Sequence, residues 1–291
     1  MSVEKLADWK TFVWHRFIRL YPAYWISVTL TALAIFVTSL LIFKGNADYV
    51  MSGSFALKYI CNLTMFQYFM QIENIDGPYW TLSIELVFYA LMTLILITKK
   101  LKYFEKIGTG LVLISSIYYF DQIYHNIVFH YILFYFPLLK YFPLFFAGIL
   151  IYKMKYDKIT FFRLFGYGLT LLVQCLVFHN CYSNKSEVTI YEYSIVLSVI
   201  YAVVLLFLFD KLSFIVNPIT RKLGELSYSL YLIHQFLGIS VFIPGFIKFL
   251  HFNFWLAAFL SLIVLLGISF LINKFIEKPA MQRYRNFIKP N

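Results

Sequence analysis

With 61% hydrophobic residues, only 13% charged residues over a length of 291, and a mean hydropathy of +0.74, the chain falls outside the soluble globular class, where about a quarter of residues are charged. Its formal net charge of +11 does not point to nucleic acid, because Lys and Arg come in small groups between apolar runs and form no stripe. Cys61, Cys175 and Cys181 are odd in number and lack metal-ligand spacing, which favours free thiols over a disulfide framework or a zinc site.

The opening MSVEKLADWK is polar, and the first apolar run is too long for a cleavable signal. Runs long enough to cross a bilayer recur at 20–43, 79–98, 107–124, 131–152, 159–179, 190–209, 223–243 and 254–275. This predicts an all-α, polytopic integral membrane bundle of about eight transmembrane helices. Gly108 and Gly110 interrupt the third run, and the fourth carries Pro137, Lys140 and Pro143. The stretch 55–70, with Lys58, Asn62, Thr64 and Gln67, is expected to be an interfacial helix. Basic groups lie before the first run and after the second, fourth, sixth and eighth, so both termini are expected to be cytoplasmic, with Trp80 and Glu85 at the outer end of their helix. No internal repeat or soluble appendage is visible, and residues 1–291 read as one membrane domain.

Three polar groups carry candidate chemistry. Arg16 and Arg19 share one face at the mouth of the first span, with Pro22 just beyond; two guanidinium forks there can grip phosphates, or simply anchor the helix on the positive side. In Gly77–Tyr89, read as GPYWTLSIELVFY, Gly77-Pro78 breaks the preceding segment and Tyr79 and Trp80 suit the interface. Glu85 then follows about two turns into an apolar helix. An intramembrane carboxylate is a functional-site hypothesis by default, and Thr81, Glu85 and Tyr89 line up on one face. The competing reading is a hydrogen bond that ties two helices together. In the seventh span Ser227, Tyr231 and His234 fall at i, i+4 and i+7, where the imidazole can act as a general base or bond a neighbouring helix. His125, His130, His179 and His251 lie near the outer boundary without metal spacing, and Glu192 and Lys140 are candidates for a surface pair. There is no Gly-rich phosphate loop, nucleophile elbow or His-Glu-x-x-His motif, and Glu73-Asn74-Ile75-Asp76 lacks the close acidic pair of a metal-dependent glycosyltransferase.

Four segments together resemble the membrane acyltransferase 3 family: Arg16-Phe-Ile-Arg19-Leu-Tyr-Pro22-Ala-Tyr24-Trp25, Gly77 to Tyr89, Leu223-Gly-Glu-Leu-Ser227-Tyr-Ser-Leu-Tyr231-Leu-Ile-His234, and Ile276-Glu277-Lys278-Pro279. The resemblance implies that Arg16 and Arg19 meet the phosphates of an acyl-CoA donor. It also implies that an acyl group passes through the membrane domain to a sugar hydroxyl along a route lined by Glu85 and His234, with Trp80, Thr81, Tyr89, Ser227 and Tyr231 beside it. It begins at the family's third helix. The family's first helix carries a basic residue followed eleven positions later by a catalytic histidine, and Lys5 and His15 match neither the spacing nor the placement. The chain is therefore expected to be N-terminally truncated relative to the family, with that pair upstream, lost or supplied by a partner.

The resulting expectation is an O-acyltransferase of the bacterial inner membrane that moves an acetyl group from acetyl-CoA to a polysaccharide or lipid-linked sugar, with no permanently bound cofactor and no metal. The bilayer, the acyl-CoA and the glycan acceptor are its expected partners. The alternative is a non-catalytic scaffold or transporter-like protein whose polar stripes are helix glue.

Overall fold

The computed structural model describes residues 8–41, 51–117, 136–182 and 187–288. Among the described residues all regular structure is helical. Among the described residues six helical stretches are long and apolar enough to cross a membrane: Trp9–Ser39, Gly77–Ile97, Phe161–Phe178, Ile190–Leu208, Pro218–Leu250 and Phe254–Phe287. The predicted third and fourth runs extend into residues outside the described set, as do His125 and His130.

The chain divides into two compact units. The first comprises residues 1–93 and 218–291. Its elements are α1 (Trp9–Leu41), α2 (Gly53–Leu63), a 3-10 turn at Gly77–Tyr79 that leads into α3 (Trp80–Ile97), and α8 (Pro218–Ile233). A π-helical segment, His234–Phe242, joins α8 to α9 (Ile243–Leu250), and a second, Asn273–Glu277, joins α10 (Phe254–Ile272) to α11 (Lys278–Ile288). The core of this unit is a cluster around Leu20, Tyr24, Val28, Met65, Tyr79, Leu232, Ile233 and Leu265, all buried.

The aromatic motif after Arg19 has a structural task. A helix end leaves its last carbonyls without partners, and three donors on α1 take those of α2. Tyr24 donates to the Asn62 carbonyl (2.6 Å), Trp25 Nε1 to Leu63 (3.0 Å) and Tyr21 to Thr64 (2.9 Å). The interfacial helix expected over 55–70 ends sooner, at Leu63. Thr64 Oγ1 bonds back to the Cys61 carbonyl and accepts from Phe66 N, and Met65 takes a positive φ of 62°. Asn62 is fully buried; it donates to the Glu73 carbonyl (3.0 Å) and accepts from Ile75 N (3.0 Å), folding the return segment onto α2.

The second unit, residues 94–217, packs α4 (Phe104–Ser115), α5 (Leu138–Tyr156), α6 (Phe161–Tyr182) and α7 (Ile190–Leu208). Arg163, nearly buried, reaches Glu105 (2.8 Å) and Asp157 (2.6 Å), and Lys153 joins Glu105 at 3.0 Å. The guanidinium's hydrogen bonds hold the Glu105 carboxyl below its ordinary range. Glu192, a candidate surface partner for Lys140, closes a capping box with Thr189 at the start of α7. Cys61 and Cys175 are free thiols.

Candidate functional site

Arg16, Arg19, Trp80, Thr81, Glu85, Tyr89, Ser227, Tyr231 and His234 all belong to the first unit. Arg16 lies over two rings, Tyr89 at 4.8 Å and Phe12 at 5.2 Å from the centroids. Rings so placed stabilise a guanidinium by about 1–2 kcal/mol while leaving its in-plane donors for another partner. Arg16 Nε is buried without a hydrogen-bond partner, and among the described residues neither Arg16 nor Arg19 pairs with a carboxylate. Tyr89 in turn donates to Glu85 Oε1, one turn earlier on α3. The polar stripe expected on α3 thus meets the basic mouth of α1.

A second group forms where the 3-10 turn approaches the first π segment. Tyr231 donates to the Pro78 carbonyl (2.9 Å) and lies 2.5 Å from Thr81 Oγ1. His234 Nδ1 lies 2.8 Å from the Tyr231 carbonyl. A carbonyl only accepts, so Nδ1 carries the proton and Nε2 is left as the basic nitrogen. Gly77 permits this approach, because a Cβ there would lie 2.4 Å from Gln235 Oε1. Trp80, 38% exposed, stands outside the cluster.

Sequence reasoning missed Asp76. It is 3% exposed, and its Oδ2 accepts from Phe236 N (3.3 Å) inside the π segment, within electrostatic reach of His234. Burial pushes its carboxyl above the usual range. The available signal was its place directly before Gly77-Pro78, a helix-capping position. Ser227 is not brought to this group: it is exposed and donates to the Gly224 carbonyl (2.8 Å) of its own helix. The buried hydroxyl on α8 is Ser229, which donates to Glu277, a carboxylate that also accepts from Asn273 (3.0 Å). Glu277, Tyr228, Glu85, Tyr231, Asp76 and His234 form a succession in which each tyrosine lies within electrostatic reach of the carboxylates on both sides of it.

Of the remaining candidates, His251 caps α9 with a positive φ of 54°, and the His179 and Cys181 side chains lie outside the described ones. Against this geometry, the model of a family described as an acyltransferase domain matches residues 2–274. The chain belongs to the acyltransferase 3 family. It is a membrane acyltransferase, and this file of polar side chains lies within the matched domain except at its Glu277 end. No curated protein and no solved structure matches this acyltransferase.

Proposed function

We propose that this acyltransferase moves an acetyl group from acetyl-CoA to a hydroxyl of a surface polysaccharide or lipid-linked sugar, in a bacterial inner membrane. Arg16 and Arg19 bind the donor phosphates, and Glu85 and His234 line the reaction path. The observation that carries this reading is that α3 joins two polar groups in one unit, Arg16 with Tyr89 and Glu85, and Thr81 with Tyr231 and His234. In the reaction the acceptor oxygen attacks the thioester carbonyl, its proton passes to a general base on the path that His234 lines, and the carbon–sulfur bond breaks. The departing thiolate takes a proton, leaving an ester and free CoA. Thr81, Tyr89 and Tyr231 shape the path, and Trp80 and Ser227 lie outside it.

The test is acetyl transfer by the membrane-embedded protein, with acetyl-CoA binding followed separately. Arg16→Ala with Arg19→Ala is expected to weaken donor binding by at least about tenfold, since each charge-assisted bond is worth roughly 1.5–3 kcal/mol. Glu85→Gln and His234→Ala are expected to lower transfer while donor binding persists. Transfer at the normal rate in both variants would remove these two residues from the path. No binding of acetyl-CoA by the wild type at millimolar donor would favour the non-catalytic reading.

A further inference from the structure

A second site lies on another face of α1. The 33-residue helix is about 50 Å long, whereas a bilayer's hydrocarbon is about 30 Å thick, so the helix is longer than the hydrocarbon and its N-terminal turns are the polar ones. There α11 lies against it: Tyr284 donates to the Thr11 carbonyl (2.9 Å) and sets its ring edge on His15 at 5.8 Å. Ile272 and Ile276, earlier on the same chain, pack in the cluster that holds Leu20 and Tyr24. α11 therefore runs antiparallel to α1.

Between the two helices is a groove of about 740 Å³. Its walls are Trp14, Ile18 and Pro22, which recur every four residues on α1, and Ala280 on α11. Lys10 and Arg283 line its headgroup end, and no carboxylate lines it. Both cations are exposed, and neither has an ion-pair partner among the described residues; Lys10 lies only over the neighbouring Trp9 ring, at 5.7 Å. Arg16 takes no part, since it stands over Phe12 and Tyr89. An apolar slot beside a membrane helix, ending in two unpaired cations at headgroup level, matches one amphiphile in both halves.

We propose that this groove holds one anionic phospholipid of the surrounding bilayer, its phosphate between Lys10 and Arg283 and an acyl chain along Trp14, Ile18, Pro22 and Ala280. Basic pockets between transmembrane helices hold anionic headgroups in this way. The proposal does not depend on the donor or the acceptor of the transfer reaction.

Native mass spectrometry of the purified full chain tests it, with phosphatidylglycerol and phosphatidylcholine of identical acyl chains supplied as competitors. The wild type is expected to retain one phosphatidylglycerol in preference to phosphatidylcholine. Lys10→Ala with Arg283→Ala is expected to reduce that preference about thirtyfold, each cation near a headgroup contributing roughly fivefold. Ile18→Trp narrows the slot and is expected to lower retention of both lipids while leaving the cations in place. Thermal unfolding of each variant checks that it remains folded. Equal retention of the two lipids by the wild type, or an undiminished preference in a folded double variant, overturns the proposal. It is also overturned if acetyl-CoA displaces the lipid through the same two cations, or if Ile18→Trp disrupts a dimer and leaves lipid retention unchanged.

Discussion

Replacing Asp76 by Asn and by Ala separates the two things its carboxylate does. It is 3% exposed and accepts the Phe236 N–H at the π segment that begins with His234. Ala removes the acceptor and leaves a backbone donor without a partner, at a cost of about 1–3 kcal/mol. Asn keeps an acceptor oxygen and removes the charge. Burial raises the carboxyl above its ordinary 3.8, so the folded protein holds that proton more tightly than the unfolded chain. A raised value contributes stability that is fully present below 3.8 and is lost as pH rises through the folded value. Above the folded value the wild type therefore carries a burial penalty that Asn does not. Thermal unfolding in detergent, at about pH 4 and about pH 7, is expected to rank Asn at or above wild type at the higher pH, with the gap narrowing at the lower. Ala is expected to be less stable at both. If Asn loses as much as Ala, or if its advantage grows on acidification, the carboxyl is not the buried acceptor described above.

In the second unit, Arg163→Ala takes the guanidinium from Glu105 and Asp157 and is expected to cost roughly 3 kcal/mol, read as a fall in unfolding temperature. Because Arg163 holds Glu105 below its ordinary 4.5, the part of the wild-type advantage that Glu105 carries is present above 4.5 and is lost as pH falls through the lowered value, leaving the bonds to the Lys153 and Lys158 carbonyls; a difference that does not shrink at lower pH would contradict this. Gly108→Ala places a Cβ 2.1 Å from the ring of Phe146, itself 1% exposed, and is expected to destabilise by about 1–3 kcal/mol. Gly110→Ala, with nothing within 4 Å on the same helix, is the control and is expected to be neutral or stabilising by up to about 1 kcal/mol. Equal effects would mean that Phe146 moves aside freely.

The membrane helices were legible because length and apolarity alone specify them, and so was the Glu85–Tyr89 pair, because residues four apart on a helix meet whatever surrounds them. Which side of α8 faces inward was not. Ser227 and Ser229 sit two residues apart, nearly opposite around the helix, and both lie in a run that mixes polar and apolar residues. Only packing decides that Leu226, Ser229, Leu232 and Ile233 are buried. The π segments had no sequence signature, and without them nothing linked Asp76 to the segment carrying His234. Asn62 and Gln67 were among the polar residues that marked an interfacial helix, yet both are fully buried because the return segment folds over them. An apolar environment makes polar residues the informative ones, and their partners lie too far away in sequence to be counted from spacing.

Those partners also bear on the two readings of Glu85. Glu277 holds Ser229 and Asn273, Asp76 holds Phe236 N, Glu73 pairs with Lys58, and Glu225 with Lys222 and Lys278. Each of these carboxylates joins segments well separated in the chain. Among the described residues the hydrogen bond of Glu85 goes to Tyr89, four residues along its own helix, and ties no second helix to it. If it were structural glue, Glu85→Gln would loosen the packing of α3. Its bond instead replaces at most a local helix-surface contact, worth about 0.5 kcal/mol, and Gln preserves an acceptor for the Tyr89 hydroxyl. The variant is expected to unfold within about 2 °C of the wild type, taking a change of this size in a chain of this length. A fall of 5 °C or more, by the same scale, would return Glu85 to a structural role.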